Sequence, residues 1–169
     1  MLELTIAFVL IGINGLFSLS ELALVSARKV RLKTMADAGR RGAQAALALA
    51  EEPGRFLSTV QIGITLVGIL AGAFGGATVA TVVSDQLSSV PVIGAYSDAL
   101  GIVLVVLVIT YLSLVVGELV PKRLALRNPE GIATVVARPM RTISTVARPA
   151  VGLLTISWNS IQAVRPVKM

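Results

Sequence analysis

Histidine and cysteine are both absent from this 169-residue chain. Without them a serine–histidine triad, a zinc hydrolase site and a thiol nucleophile are excluded. No disulfide can form, and the redox compartment leaves no mark on the sequence. No Gly-x-x-x-x-Gly-Lys-[Ser/Thr] string occurs, so there is no Walker-type phosphate loop. Any pumping must draw its energy from elsewhere. Charge is also scarce, at 14% of residues against about 25% in soluble domains. The aspartates outside the basic stretches, Asp85 and Asp98, flank a polar loop, which argues against an intramembrane aspartyl protease. Together these absences predict a protein that is not an enzyme.

What is present is apolar: 55% hydrophobic residues, with mean hydropathy +0.86. This predicts one all-α integral membrane domain over residues 1–169. A bilayer core takes roughly 20 apolar residues per helix. Three segments meet that length, at about 4–27, 56–83 and 99–122. The second carries no charge and is longer than needed, so it should tilt or bend. The first has its basic residues after it rather than before it, unlike a cleaved signal peptide.

The net charge is +6, and its placement is informative. The polar loop at 84–98 holds no lysine or arginine, and every basic residue lies within 28–55 or from Lys122 onward. That asymmetry is the positive-inside pattern. It predicts a multi-pass protein of the cell (inner) membrane, N-terminus and loop 84–98 outside, C-terminus cytoplasmic. It assigns the charge to the lipid bilayer, not to nucleic acid. Residues 28–52 alternate basic residues with Ala and Leu, predicting one amphipathic cytoplasmic helix. Residues 129–165 carry Arg138, Arg141, Arg148 and Arg165 among apolar side chains and Trp158, predicting juxtamembrane helices. Pro129 suits a helix start, while Pro139 and Pro149 should kink or divide the stretch. In the outer loop, Pro91 and Gly94 are turn chemistry. A fourth span over 149–164 is short by the length rule.

Glu118 stands at the end of the uncharged run 99–116, within Gly117-Glu118-Leu119-Val120-Pro121-Lys122. A carboxylate at a bilayer edge needs a compensating cation, proton or partner. Pro121 has no N–H, so it should break the helix and free the carbonyl of Gly117, four residues back. A free carbonyl beside a carboxylate offers hard oxygen ligands, suited to Mg²⁺, Ca²⁺ or Na⁺. The other reading is an i,i+4 salt bridge between Glu118 and Lys122.

The first segment supplies Asn14, Ser18 and Glu21 on one helical face. Ser20 points elsewhere, and only a local wide turn would bring both serines to one ion. Serines bonding their own helix carbonyls, and Glu21 paired with Arg28 or Lys122, are the plainer readings. In the second segment Gln61, Thr65, Gly68, Gly72 and Gly76 share a face. The glycines predict close helix packing, and Gln61 and Thr65 either line an ion path or join helices.

Phe17-Ser18-Leu19-Ser20-Glu21, then Gln61-Ile-Gly-Ile-Thr-Leu-Val-Gly, then Gly117-Glu118-Leu119-Val120-Pro121-Lys122 together resemble the transmembrane domain of the CorC / cyclin M family of magnesium transporters. The resemblance spans nearly the whole chain. It implies three transmembrane helices plus juxtamembrane helices, a homodimer, and a dehydrated Mg²⁺ bound toward the cytoplasm and exchanged for Na⁺. On this sequence it places Ser20, Gly117 and Glu118 at the family's ion-binding positions. It also implies cytosolic CBS modules as partners; they are absent from this chain, as in a truncated domain. Many members carry asparagines where this chain has Ile64 and Gly68. The expected function is Mg²⁺ export in exchange for Na⁺. The alternatives are a membrane anchor and dimerisation module for a cytosolic sensor, or a transporter of another cation, Na⁺ or a polyamine.

Overall fold

The computed structural model describes residues 2–89 and 96–147, with Pro149 and Gly152 beyond them. The expectations for Pro91, Gly94, Arg148, Trp158 and Arg165, and for a span over 149–164, fall outside the described residues. The described residues form helices and no strands: α1 (Leu2–Ser26), α2 (Lys29–Asp37), α3 (Ala43–Glu51), α4 (Pro53–Ser88), α5 (Ser97–Leu114), a π turn (Val115–Leu119), α6 (Val120–Arg127) and α7 (Pro129–Val146).

Three rods are long and apolar enough to cross a membrane: Leu2–Ser26, Pro53–Ser88 and Ser97–Arg127. The second has 36 residues, a rise of about 54 Å, against a bilayer core of about 30 Å. Pro53 opens it, at a position where no N–H is needed. At the C-terminal end of α4, Ser84 donates its hydroxyl to Asp98, tying α4 to α5. α5 exposes large apolar side chains on several sides, among them Ile102, Val106, Leu107 and Tyr111. An apolar helix with so little cover inside the chain is one that lipid surrounds.

α1 lies at the centre, packed against α4, the π turn, α6 and α7. Toward the basic end, Phe17, Leu24, Leu32, Phe56, Val60, Val136 and Met140 form one core that joins α1, α2, α3, α4 and α7. Asn128 caps α7 by accepting the Gly131 N–H at 3.0 Å, with Pro129 in the first turn.

Three local expectations are corrected. Residues 28–52 form two helices, not one. Gly39 takes φ +73° and ends α2, with Gly39 N–H bonding the Ala36 carbonyl and Arg40 N–H bonding that of Met35, a Schellman stop. Pro139 does not divide α7, which runs through it to Val146. Pro121 does not end the third rod, for the reason given below. Among the described residues, the stripe Gly68, Gly72, Gly76 meets no other element of the same chain. The close contacts of α4 are made instead by Gly63, against the Phe17 ring, and by Gly75, against Ala7 and Ile109.

Candidate ion site

Pro121 offers no N–H to Gly117, and the helix answers by widening. The Val120 N–H bonds the carbonyl of Val115, five residues back. This π turn takes up one extra residue and lets the rod continue into α6 with Pro121 in its first turn. The wide turn thus lies on the third segment. α1 is helical without interruption through Ser26, so no irregularity brings Ser18 and Ser20 to one side.

Gly117 is buried in the π turn. Its carbonyl accepts a hydrogen bond from Asn14 Nδ2 at 3.4 Å, between helices. Two glycines permit the approach. A Cβ on Gly15 would stand 3.1 Å from Pro121 Cγ and 3.2 Å from the Val116 oxygen. A Cβ on Gly117 would stand 3.2 Å from Asn14 Nδ2. The carbonyl also fixes the Asn14 amide, because the flipped form would set two acceptors face to face. Asn14 Oδ1 and Ser18 Oγ, one turn apart on α1, are buried and have no hydrogen-bond partner among the described residues. Each such atom costs about 1–3 kcal/mol, so a ligand for both would be worth having.

Ser20 is equally buried, but its hydroxyl donates to the Leu16 carbonyl at 2.7 Å. No hydrogen bond joins it to Gly117 or Glu118 among the described residues. Glu118 is half-buried, and Lys122 Nζ lies 2.6 Å from its Oε1. The same ammonium stands 3.9 Å from Glu21 Oε2. One lysine ammonium therefore stands between carboxylates from two rods. Gln61 and Thr65 are exposed, and with Glu21 and Ser58 they line an open groove of about 680 Å³ on α4. Ile64 packs against the core, and Gly68 is exposed. Among the described residues, no group of three or more His, Cys, Asp or Glu is placed to hold a metal ion.

Sequence reasoning passed over Glu130. It is buried, receives the Arg28 N–H at 3.4 Å and pairs with Arg31 at 3.5 Å. Burial pushes its carboxyl up, but hydrogen bonds from its own and the Arg28 N–H, with the charges of Arg31 and Arg28, outweigh this. Its pKa lies below the ordinary glutamate value. The available signal was an acid in the first turn of a helix opened by Asn-Pro.

Three apolar rods with carboxylates and unpartnered oxygens at a widened turn define a multi-pass helical membrane protein. More narrowly, the chain belongs to the cyclin M transmembrane N-terminal domain family, which matches residues 5–167. It is 54% identical over 160 residues to the UPF0053 protein sll0260 of Synechocystis sp., covering 95% of this chain and 36% of that one. It is 37% identical over 156 residues to the polyamine export protein of Salmonella typhimurium, covering 92% and 35%. The polyamine export protein of Escherichia coli K12 is 33% identical over 142 residues, covering 84% and 32%. The chain spans about a third of the length of these curated relatives.

Proposed function

We propose that this domain is the membrane part of a secondary transporter that exports Mg²⁺, with Na⁺ as counter-ion. The observation that carries this reading is the pair of buried, unpartnered oxygens, Asn14 Oδ1 and Ser18 Oγ, on the α1 face that meets Gly117. With the Gly117 carbonyl and the neighbouring Glu118 carboxylate they make four hard oxygen donors. Mg²⁺ takes six oxygens and keeps several waters, so the set fits a partly hydrated ion. Ser20 joins it if its hydroxyl leaves the Leu16 carbonyl. The test is Mg²⁺ flux in proteoliposomes for Glu118→Ala, Asn14→Ala and Ser20→Ala. Flux is expected to fall at least tenfold for Glu118→Ala. Wild-type flux in all three variants would end the assignment.

A second reading, export of a polyamine, is favoured by Lys122. The two carboxylates already hold a primary ammonium, at 2.6 and 3.9 Å, and a polyamine end group has the same chemistry. Two of the relatives named above bear the name polyamine export protein. Spermidine uptake that Mg²⁺ does not inhibit would select this cargo over the first.

The protein lies in the cell (inner) membrane with the basic end cytoplasmic. It pairs as a homodimer and serves cytosolic CBS modules in its full-length form. The open stripe at Gly68, Gly72 and Gly76 supports a second copy packed on α4. The chain has no native cysteine, so single cysteines at positions 40 and 89 report orientation by labelling from each side.

A further inference from the structure

At the basic end, the turn between α2 and α3 meets α7 around a cavity of about 610 Å³. Arg40 and Arg41 line it from the turn, Arg138 and Arg141 from α7, and among the described residues no aspartate or glutamate lines it. Among the described residues none of the four guanidinium groups takes part in a salt bridge; the pairs formed nearby use Arg31 and Arg55. Four like charges gathered without a counter-charge repel one another, yet the backbone is built to hold them together. Gly39 and Gly42 bracket the arginine pair with φ +73° and +82°. Gly42 sits so tightly on α7 that a methyl group there would overlap the Thr134 carbonyl oxygen. On α7, Arg138, Arg141, Thr142 and Thr145 follow i, i+3, i+4, i+7 spacing, which puts them on one face. The opposite face, with Ala133, Val136, Ala137 and Met140, is buried in the core.

The height of the cavity is also set. Ser144, beside these residues on α7, lies hydroxyl to hydroxyl 3.3 Å from Thr59, in the second turn of α4. Arg141 borders the hollow that Glu52, Arg55 and Phe56 line at the entry to α4. The cavity therefore stands where the first turns of a membrane-crossing rod meet the basic surface.

We propose that this cavity is a binding site for a phosphate group, held by paired guanidinium forks, and that its ligand is the headgroup phosphate of an anionic phospholipid. Arginine forks match phosphate oxygens two at a time, and basic pockets at this height suit lipid headgroups. The proposal is independent of the cargo the domain carries.

The test uses the protein in nanodiscs of mixed phosphatidylcholine and phosphatidylglycerol, with retained lipid counted by native mass spectrometry. Wild type is expected to retain phosphatidylglycerol preferentially. R138Q/R141Q and R40Q/R41Q should each reduce that retention about tenfold. R123Q/R127Q, which alters exposed arginines of α6 outside the cavity, should not. In a second arm, inorganic phosphate is titrated against the protein in pure phosphatidylcholine. A saturable rise in thermal midpoint that R138Q/R141Q abolishes would assign the same site to a soluble phosphate. Equal losses in all three double variants would show diffuse attraction to the membrane and overturn the proposal. So would unchanged retention in every variant with no response to phosphate.

Discussion

At residue scale, Lys122 is the protein's own partner for Glu118. The i,i+4 partner is engaged, and it is shared with Glu21. Because these groups are partly exposed, the pairs contribute little as salt bridges, about 0–1 kcal/mol each. Their consequence is electrostatic: removing the ammonium leaves two carboxylates facing each other's rods without a cation. Lys122→Met is expected to lower the thermal midpoint in cation-free buffer, and added Mg²⁺ or spermidine should restore it. A midpoint indifferent to both cations would separate Lys122 from any cation site. Asn14 acts through geometry rather than charge. Asn14→Ala removes the interhelical bond to Gly117, and such bonds average about 0.6 kcal/mol in membranes. It also removes an unsatisfied oxygen, so the net loss of stability should stay below about 1 kcal/mol, read by unfolding in mixed detergent.

Among the elements, the π turn departs from the sequence reading, in which Pro121 breaks the helix. Pro121 announced a missing hydrogen bond; it did not say whether the rod would end, kink or widen. Widening wins because the residues beyond, from Val120 to Arg127, form a helix that α1 packs against, and ending the rod would forfeit that packing. Gly15 is the residue that lets α1 reach the wide turn. Gly15→Ala puts a methyl 3.1 Å from Pro121 Cγ and 3.2 Å from the Val116 oxygen. Such overpacking should destabilise by about 1–3 kcal/mol. Gly12→Ala, one turn away with nothing within 4 Å, should be neutral or stabilising by up to about 1 kcal/mol. Equal effects of the two in an unfolding titration would deny Gly15 this role. The same contrast explains the glycines of α4. Period alone singled out Gly68, Gly72 and Gly76, but spacing says which residues share a face, not which face meets a neighbour. Gly63 and Gly75 make the contacts. Pro139 teaches the converse: a broken hydrogen bond within α7 is tolerated where Val136, Ala137 and Met140 are held in the core.

For the whole molecule, Glu130 ties the start of α7 to the junction of α1 and α2, so its ionisation is a stability term for the basic end. Its folded-state pKa is lowered; the stabilisation is present at neutral pH and is lost as pH falls below the ordinary glutamate value of about 4.3 and through the lowered one. The thermal midpoint should therefore drop on acidification below about pH 4. Glu130→Gln should lower the midpoint at pH 7 and flatten that acid limb; an unchanged limb would place the acid sensitivity elsewhere. Apolar length and the scarcity of charge pointed to a helical membrane protein because they are properties of the chain and need no neighbour, and the described residues contain three rods long and apolar enough to cross a membrane. The motif strings drew attention to Gly117, Glu118 and Lys122 without saying what each would meet. Only the tertiary structure decided that Asn14 donates to Gly117, that Lys122 answers two carboxylates, that Ser20 is satisfied within its own helix, and that Arg40 and Arg41 meet Arg138 and Arg141. Each of these is a contact between residues distant in sequence, and which faces turn toward one another is fixed by packing around α1, not by any local pattern.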